Sequence, residues 1–443
     1  MVFNSIEFVG FIIVVWIIYF ILDRYVSVRS RNIFLLAASW FFYGSFKWWF
    51  LILLCYIVAV NYVGTLLLSN RLAKYRLAIV SAVVILSIGI LAFMKYAYIW
   101  SDSIILPVGL SFFTFQALSY SIDVYRGKIT VEKDFVKVAL FISFLPTILS
   151  GPIERAKNIF PQLSSHSEIN YDKVLYGIKR FIWGVFKKMV IADRLAQYVD
   201  EVYMFPGAHS GSTLAIAAIF YSIQIYCDFS GYADMAIGVG RALGFTIVEN
   251  FNFPYFSKSI KDFWRRWHIS LNTWFTDYVY ISLGGNRVVA WRWVLNILAV
   301  FLLSGIWHGA TVAFIVWGGI HGAAYLIEHA MKIDKPNFIY GIICFFVVTL
   351  AWIFFRLDDC SEALYVVHRI FTDFNSPCRL MVNGSSFTFA ITSMLAVIFV
   401  IREVVAYKTS TRRMKITDLE AIVLLAVIAL FGMSSNQFVY FQF

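Results

Sequence analysis

The chain has few charged residues for its 443-residue length. Asp, Glu, Lys and Arg make up 14% of the sequence, whereas hydrophobic residues make up 60% and aromatic residues 19%. Because roughly a quarter of the residues in a soluble domain are charged, this composition excludes an ordinary soluble protein. The mean hydropathy of +0.75 agrees with that exclusion. The composition therefore predicts an integral membrane protein.

Several sequence patterns are also missing, and each absence removes a class of protein. Low-complexity tracts, solenoid-period repeats and alternating ten-residue strands are absent, which excludes disorder, repeat arrays and a membrane barrel. P-loops, dinucleotide-binding glycine patterns, HExxH sequences and serine-hydrolase elbows are absent too. The five cysteines form no CxxC or His-linked metal spacing, and only Cys360 and Cys378, in one loop, are placed to pair.

Acidic residues are fewer than basic ones, which gives a net charge of +11 from 37 Lys and Arg against 26 Asp and Glu. Cytoplasmic loops of membrane proteins collect Lys and Arg, so topology explains this excess. The sequence contains no basic soluble module that could carry nucleic acid. We therefore expect no nucleic acid partner.

Apolar runs of about 15 to 22 residues alternate with short basic or Gly/Pro segments. Such runs are long enough to cross a hydrocarbon core roughly 30 Å thick. We predict an all-α polytopic membrane protein with about 10 to 12 transmembrane helices, plus re-entrant or surface amphipathic helices, in a single domain over 1–443. The runs cover about 6–22, 33–45, 48–69, 77–94, 104–125, 212–245, 292–307, 310–330, 337–355, 386–402 and 419–434.

The basic loops predict the orientation of the chain. The first run lacks the basic region and cleavage site of a signal peptide, so we expect it to be retained as a span. Arg24, Arg29 and Arg31 follow it, and another basic cluster lies at about 408–415. Because cytoplasmic loops are the basic ones, we expect the N-terminus and the C-terminus on the extracytoplasmic side.

Two segments do not read as ordinary spans. The segment 135–151 is apolar but short and ends in Leu-Pro and Gly-Pro steps, which favours a dip that enters and leaves by one face. Further along, basic residues recur every seven positions, which indicates one side of a helix. That helix either lies on the surface with its basic face in water or spans the membrane beside a wet cavity. The recurring residues are Lys173, Arg180, Lys187 and Arg194.

The most polar stretch, 261–287, is too charged to span and too aromatic for a solvated loop. At helical spacing Trp264, Trp267, Leu271 and Trp274 form one apolar stripe. A surface-lying amphipathic helix with aromatic anchors would explain this pattern without catalysis. The alternative is a binding surface beside the membrane, whose candidate residues are Trp264, Arg265, Arg266, Trp267, His268, Asn272, Asp277, Tyr278 and Arg287.

A second polar group lies where hydropathy predicts membrane. Trp307 and His308 stand between apolar runs, with Gly305 and Gly309 close by, so a helix can end there; His321 follows in the next run. A histidine at membrane depth is either a structural hydrogen-bonding residue or part of a functional site. No complete metal set accompanies these histidines, and we predict no metal site. Asp228 and Asp234 are open to three interpretations: metal ligands, a proton relay or partners of a helix break.

Residue chemistry allows acyl transfer without requiring it. A neutral imidazole can accept a proton from an alcohol that attacks an activated carbonyl, and a buried site with few charges keeps the ring neutral. Basic residues at the cytoplasmic edge would suit a phosphate-bearing donor such as a coenzyme A thioester.

The combined motifs resemble the membrane-bound O-acyltransferase family, in its alginate O-acetylation branch, with D-alanyl transfer proteins as more distant relatives. They cover about 100–360. The motifs are Gly109–Gln116 with Ser121–Gly127, Ser150–Arg155, Phe160–Leu163, Lys187–Asp193, Asp228–Tyr232, the 261–287 segment, Trp307–Ala310, Trp317-Gly318 with His321-Gly322, and Trp352–Arg356.

This resemblance implies a catalytic pair, with His308 as the essential histidine and His268 where relatives have His, Asn or Asp. It also implies a central funnel that admits the donor from the cytoplasm, with 261–287, Trp307 and His321 lining the donor channel. Arg265, Arg266 or Arg287 would then contact donor phosphates.

The function expected from the resemblance is that of a membrane-bound O-acetyltransferase in a bacterial plasma (inner) membrane. Acetyl-CoA would be the acyl donor, with a carrier-protein thioester as the alternative and no tightly bound cofactor. The acceptor would be an exported or cell-surface polysaccharide, reached directly or through an extracytoplasmic acetyltransferase. D-alanyl or other acyl transfer to another envelope polymer, a transporter or flippase, and a non-catalytic scaffold are the competing interpretations. The expected partners are the acyl-CoA donor, the extracytoplasmic acetyltransferase or glycan acceptor, and membrane lipid.

Overall fold

The computed structural model describes residues 1–69, 74–97, 105–167, 169–332, 337–373, 376–409 and 416–433. Regular structure in these ranges is helical, and their one extended pairing is an isolated bridge between Val382 and Ser385. The prediction of an all-α chain is confirmed.

The first compact unit contains Met1–Ile182 and Tyr232–Glu249. Its helices are α1 (Ile6–Tyr25), α2 (Val28–Gly44), α3 (Phe50–Ser69), α4 (Arg76–Tyr96), α5 (Leu110–Tyr125), α6 (Phe135–Ile142), α7 (Ala156–Ser164) and most of α8 (Tyr171–Phe186). Helix α1 packs on α2, and α3, α4 and α5 pack on one another. Neighbours in sequence are therefore neighbours in space, as short connections require.

The second compact unit contains Trp183–Gly231 and Asn250–Phe443. Its helices are α9 (Asp193–Met204), most of α10 (Gly211–Ala242), α11 (Ile260–Arg266), α12 (Ile269–Phe275), α13 (Ala290–His308), α14 (Val312–Ala330), α15 (Phe338–Arg356), α16 (Cys360–Thr372), α17 (Ser386–Lys408) and α18 (Asp418–Phe431). Helix α14 packs on α13, α15 and α11. The prediction of one domain over 1–443 stays a prediction.

Seven helices in the described ranges are long and apolar enough to cross a membrane: α1, α3, α4, α10, α13, α15 and α17. The chain is therefore a multi-pass membrane protein. Helices α2, α5 and α18 have 17, 16 and 14 residues, which is short for a crossing of roughly 20 residues. The larger number of spans stays a prediction, and Arg412, Arg413 and Lys415 of the predicted basic loop lie outside the described residues.

The segment predicted to dip into the membrane begins with α6, which has eight residues and a length of about 12 Å at 1.5 Å per residue. Irregular, buried backbone follows it, and the buried carboxylate of Glu154 connects it to neighbouring segments. Glu154 accepts hydrogen bonds from the Val248 amide at 2.6 Å and from Asn158 Nδ2 at 2.9 Å. A helix this short cannot cross a bilayer, in agreement with a dip.

The basic residues of the 173–194 region do not form one solvated face. A π-helical turn at Lys187–Ala192 interrupts the helical period between α8 and α9. In the first unit, buried Arg180 pairs with Asp234 at 2.8 Å and also with Glu249. In the second unit, buried Lys187 donates to Ser230 Oγ at 2.7 Å. The interpretation with a water-facing stripe is therefore wrong for Arg180 and Lys187.

Candidate active site

Helices α13 and α14 form a close-packed hairpin whose connection carries His308. A Cβ atom on Gly305 would lie 2.3 Å from the Phe314 carbonyl oxygen, and one on Gly318 would lie 2.4 Å from the Phe301 oxygen. Glycine at these two positions lets the backbones approach. Helix α13 ends at His308, and Gly309 continues as extended chain. The predicted helix end at this histidine is confirmed.

The 261–287 segment contains two short helices and a π-helical turn rather than one continuous amphipathic helix. Helix α11 ends before Trp267, and His268 adopts the left-handed conformation at φ 44° and ψ 53° before α12 begins. Trp267, Leu271 and Trp274 are nevertheless buried. Three of the four predicted apolar positions are therefore buried and Trp264 is half-buried. The continuous helical register was wrong because Trp267 is extended and His268 is left-handed.

Asn250 holds the backbone and the ring of His268. The Ile269 amide donates to the Asn250 carbonyl oxygen at 2.9 Å, and the Ser270 amide donates to Asn250 Oδ1 at 3.1 Å. His268 Nδ1 lies 3.2 Å from the same side-chain oxygen. These contacts offset the cost of a left-handed non-glycine residue, about 1–2 kcal/mol. Burial lowers the pKa of His268 to about 3, so the ring is neutral near pH 7.

The three candidate histidines belong to one aromatic cluster in the second unit. The Trp307 ring lies 4.6 Å from His308 and 6.5 Å from His268, measured between ring centroids. The Trp317 ring lies 5.1 Å from both His308 and His321. The tertiary structure thus brings together residues that are up to 53 positions apart in sequence, from 268 to 321.

His321 stands at the second end of this aromatic cluster. Its ring centroid is 5.0 Å from Trp264, and it lies parallel to Phe263 at 6.1 Å. Neither ring nitrogen of His321 has a hydrogen-bond partner among the described residues. The same holds for the indole Nε1 atoms of Trp264, Trp317 and Trp352. Because buried polar groups are usually satisfied, this concentration is typical of a functional site.

The three arginines predicted at the donor site have different environments. Arg265 and Arg287 are exposed. Arg266 pairs with Asp262 at 2.9 Å and donates to the Asn252 carbonyl oxygen at 3.3 Å. Arg265 and Arg287 therefore present their guanidinium groups to solvent, whereas Arg266 is bound within the protein.

The remaining predicted donor-site residues shape the segment around the cluster. Asn272 Nδ2 donates to the Trp264 carbonyl oxygen and so links α12 to α11. Asp277 and Tyr278 lie in a π-helical turn, Thr276–Tyr280, where the Tyr278 ring is 5.2 Å from Trp274. Asn296 on α13 donates to the carbonyl oxygens of Leu283 and Gly285, each at 3.2 Å. The segment is thereby attached to the helix that carries His308.

The two aspartates of α10 are engaged in ion pairs. Asp228 and Asp193 each lie 2.7 Å from Lys188 Nζ in the second unit. In the first unit Asp234 pairs with Arg180. Helix α10 continues unbroken past both residues, so the helix-break interpretation was wrong. In the described part of the chain no group of three metal-ligating side chains comes together, and all five cysteines, including Cys360 and Cys378, are free.

Comparison with known proteins decides the family. Residues 131–333 match the model of the membrane-bound O-acyltransferase family. The chain is 38% identical over 373 residues to the probable alginate O-acetylase AlgI of Pseudomonas aeruginosa, which covers 78% of this chain and 70% of that protein. The chain belongs to the membrane-bound O-acyltransferase family. It is therefore an O-acyltransferase of a polytopic membrane type.

Two further relatives of this O-acyltransferase differ in the acyl group that their names describe. It is 34% identical over 419 residues to the peptidoglycan O-acetyltransferase of Helicobacter pylori, covering 83% of this chain and 79% of that protein. It is 33% identical over 230 residues to the teichoic acid D-alanyltransferase of Bacillus subtilis, covering 48% of this chain and 56% of that protein.

Several residues of the cluster were not among the predicted site residues. Asn250 is 18 positions before His268. No sequence signal distinguishes it from other asparagines that have aromatic neighbours. Phe229 lies 4.6 Å from the His268 ring and Phe355 lies 4.9 Å from the His308 ring. Both come from apolar runs that hydropathy treats as spans. Trp317 and Trp352 belonged to the family motifs, which was the available signal.

Proposed function

We propose that this O-acyltransferase moves an acetyl group from cytoplasmic acetyl-CoA across a bacterial plasma (inner) membrane for O-acetylation of an exported or cell-surface polysaccharide. The names of two relatives support acetyl transfer, since they describe O-acetylation of alginate and of peptidoglycan. The basic loops support a cytoplasmic donor face and extracytoplasmic termini.

The observation that carries the proposal is the position of His308 at the end of α13, inside the aromatic cluster with His268 and His321. A neutral His308 imidazole accepts the proton of the acceptor hydroxyl as its oxygen attacks the thioester carbonyl carbon. The new C–O bond forms, the C–S bond breaks, and the leaving thiolate takes up the proton. His268 positions the donor or supports His308. The acetyl group reaches the glycan directly or through a separate extracytoplasmic acetyltransferase.

The exposed basic residues of the polar segment support a phosphate-bearing donor. We assign the donor phosphates to Arg265 and Arg287, because planar guanidinium groups bind phosphate oxygens in bidentate fashion. Arg266 is already bonded to Asp262 and is assigned a structural role. The other exposed basic side chains nearby in sequence are Lys258, Lys261 and Arg292.

The test is thioester turnover by the purified protein in nanodiscs with acetyl-CoA, with and without a candidate glycan. We expect His308→Ala to lower the rate by about 10²–10⁴-fold, the usual contribution of general acid–base catalysis. The matched control is His329→Ala, which removes an exposed histidine of α14. A His308→Ala protein that stays folded and keeps the native rate would refute the assigned role.

Carrier-protein thioesters form the second arm of the experiment. Turnover of a D-alanyl carrier thioester without turnover of acetyl-CoA would favour the alternative that the Bacillus subtilis relative represents. Movement of a glycan or ion across the bilayer without thioester cleavage would instead favour a transporter.

A further inference from the structure

Asn250 offers one oxygen atom to three hydrogen-bond donors around His268. Asn250 Oδ1 lies 3.1 Å from the Ser270 amide nitrogen, 2.8 Å from Ser270 Oγ and 3.2 Å from His268 Nδ1. All three residues are buried, with Asn250 and His268 each 1% exposed. The contact is therefore shielded from water, which would otherwise compete for the ring nitrogen.

The backbone amide determines which way the Asn250 side chain points. The Ser270 N–H can only donate, so the atom facing it must be the carbonyl oxygen rather than the amide nitrogen. An amide oxygen can only accept, so His268 Nδ1 must be the donor in its own contact with that oxygen. In a neutral imidazole with a proton on Nδ1, Nε2 carries the lone pair.

We infer that Asn250 is a positioning residue that holds His268 in the Nδ1-protonated tautomer and so makes Nε2 its hydrogen-bond acceptor. The opposite tautomer would set the lone pair of Nδ1 against the lone pairs of the Asn250 oxygen. The role of Nε2 in acyl transfer rests on the proposed function, whereas the tautomer itself does not. Asn250 also accepts hydrogen bonds from the backbone amides of Ile269 and Ser270. One residue therefore determines both the protonated nitrogen of the His268 ring and the backbone conformation that follows it.

The Nε2 acceptor has a defined chemical use in the proposed reaction. It can accept a hydrogen bond from a donor N–H group or from the acceptor hydroxyl, and it cannot stabilise an oxyanion as a hydrogen-bond donor. Loss of the tautomer should therefore lower kcat more than it changes the KM for acetyl-CoA.

Solid-state NMR of nanodisc-embedded protein labelled with ¹⁵N-histidine tests the inference, because ring nitrogens with and without a proton have different ¹⁵N shifts. The chain has seven histidines, and a His268→Gln spectrum identifies the His268 signals by difference. We expect wild-type His268 to show a protonated Nδ1 and an unprotonated Nε2 near pH 7. A protonated Nε2 would overturn the inference whether or not the protein turns over acetyl-CoA.

The variant Asn250→Leu removes the acceptor oxygen at similar side-chain size. We expect a mixture of His268 tautomers and at least a tenfold loss of kcat, with the KM for acetyl-CoA within twofold of the native value. Asn252→Leu is the matched control, since that side chain makes no hydrogen bond to the described residues and should leave the tautomer unchanged. Native tautomer and native kcat in a folded Asn250→Leu protein would also overturn the inference. If this variant does not fold, the wild-type spectrum still decides the tautomer.

Discussion

Replacing Gly318 by alanine should push α13 and α14 apart beside the proposed active site. The new Cβ atom would lie 2.4 Å from the Phe301 carbonyl oxygen, whereas ordinary van der Waals contact begins at 3.4 Å. Both groups belong to helical backbone, so no flexible side chain can move out of the way. The helices must separate by about 1 Å at this point, a displacement that can cost about 100-fold in rate when it misplaces a catalytic group.

Gly319 provides a control one residue further along the same helix. A Cβ atom on Gly319 would meet nothing within 4 Å. Alanine in place of a helical glycine gains about 0.5–1 kcal/mol, so Gly319→Ala should be neutral or stabilising. In Gly318→Ala, overpacking of about 1–3 kcal/mol outweighs the same gain.

The two variants should therefore differ in both stability and rate. We expect thermal unfolding in nanodiscs to show a midpoint about 2–4 °C lower for Gly318→Ala, from a net cost of about 1–2 kcal/mol. Acyl transfer should fall by about 10- to 100-fold, since Trp317, in contact with His308, precedes the altered residue. Equal midpoints and equal rates for the two variants would refute the idea that close helix packing positions His308.

Three further predictions concern the donor site, a buried histidine and topology. Arg265→Ala and Arg287→Ala should each raise the KM for acetyl-CoA about tenfold with little change in kcat, by loss of a charge-assisted contact of about 1.5 kcal/mol; an unchanged KM would remove that residue from the donor site. Because burial lowers the pKa of His268 to about 3, the unfolded chain binds a proton between pH 6.5 and 3 that the folded chain does not, and stability should fall as pH falls. His268→Gln should flatten the pH dependence of the free energy of unfolding in that window by up to about 1.4 kcal/mol per pH unit, and an unchanged slope would contradict the cause given. In a cysteine-free background, an impermeant thiol reagent applied from outside should label Met204→Cys but not Arg24→Cys if α8 and α9 cross the membrane; labelling of Met204→Cys from the cytoplasm alone would exclude that crossing.

Local chemistry was enough to predict much of the fold. A long apolar run in lipid forms a helix, because a helix makes all of its backbone hydrogen bonds within itself. The runs that form α1, α3 and α4 could therefore be predicted from composition alone. The same logic located His308, because a polar ring between glycines inside an apolar run marks a helix end. The family motifs added the assignment of His268 and His321.

Only the tertiary structure showed which side chains meet, because contacts between distant residues leave no local signal. Arg180 and Lys187 share a spacing that indicates a solvated face, yet each is buried against a partner from α10. The sequence does not distinguish Arg266 from its neighbour Arg265. In the structure, Arg266 forms an ion pair with Asp262, whereas Arg265 is exposed.

The sequence by itself determined that this chain is a polytopic helical membrane protein of an O-acyltransferase family, because hydrophobic length and motif identity are properties of short stretches. The tertiary structure decided how the site is built. The left-handed turn at His268 depends on hydrogen bonds that the Ile269 and Ser270 amides donate to Asn250. The clustering of His268, His308 and His321 around Trp307 and Trp317 depends on how their helices pack. Both depend on long-range packing, which no local pattern of residues specifies.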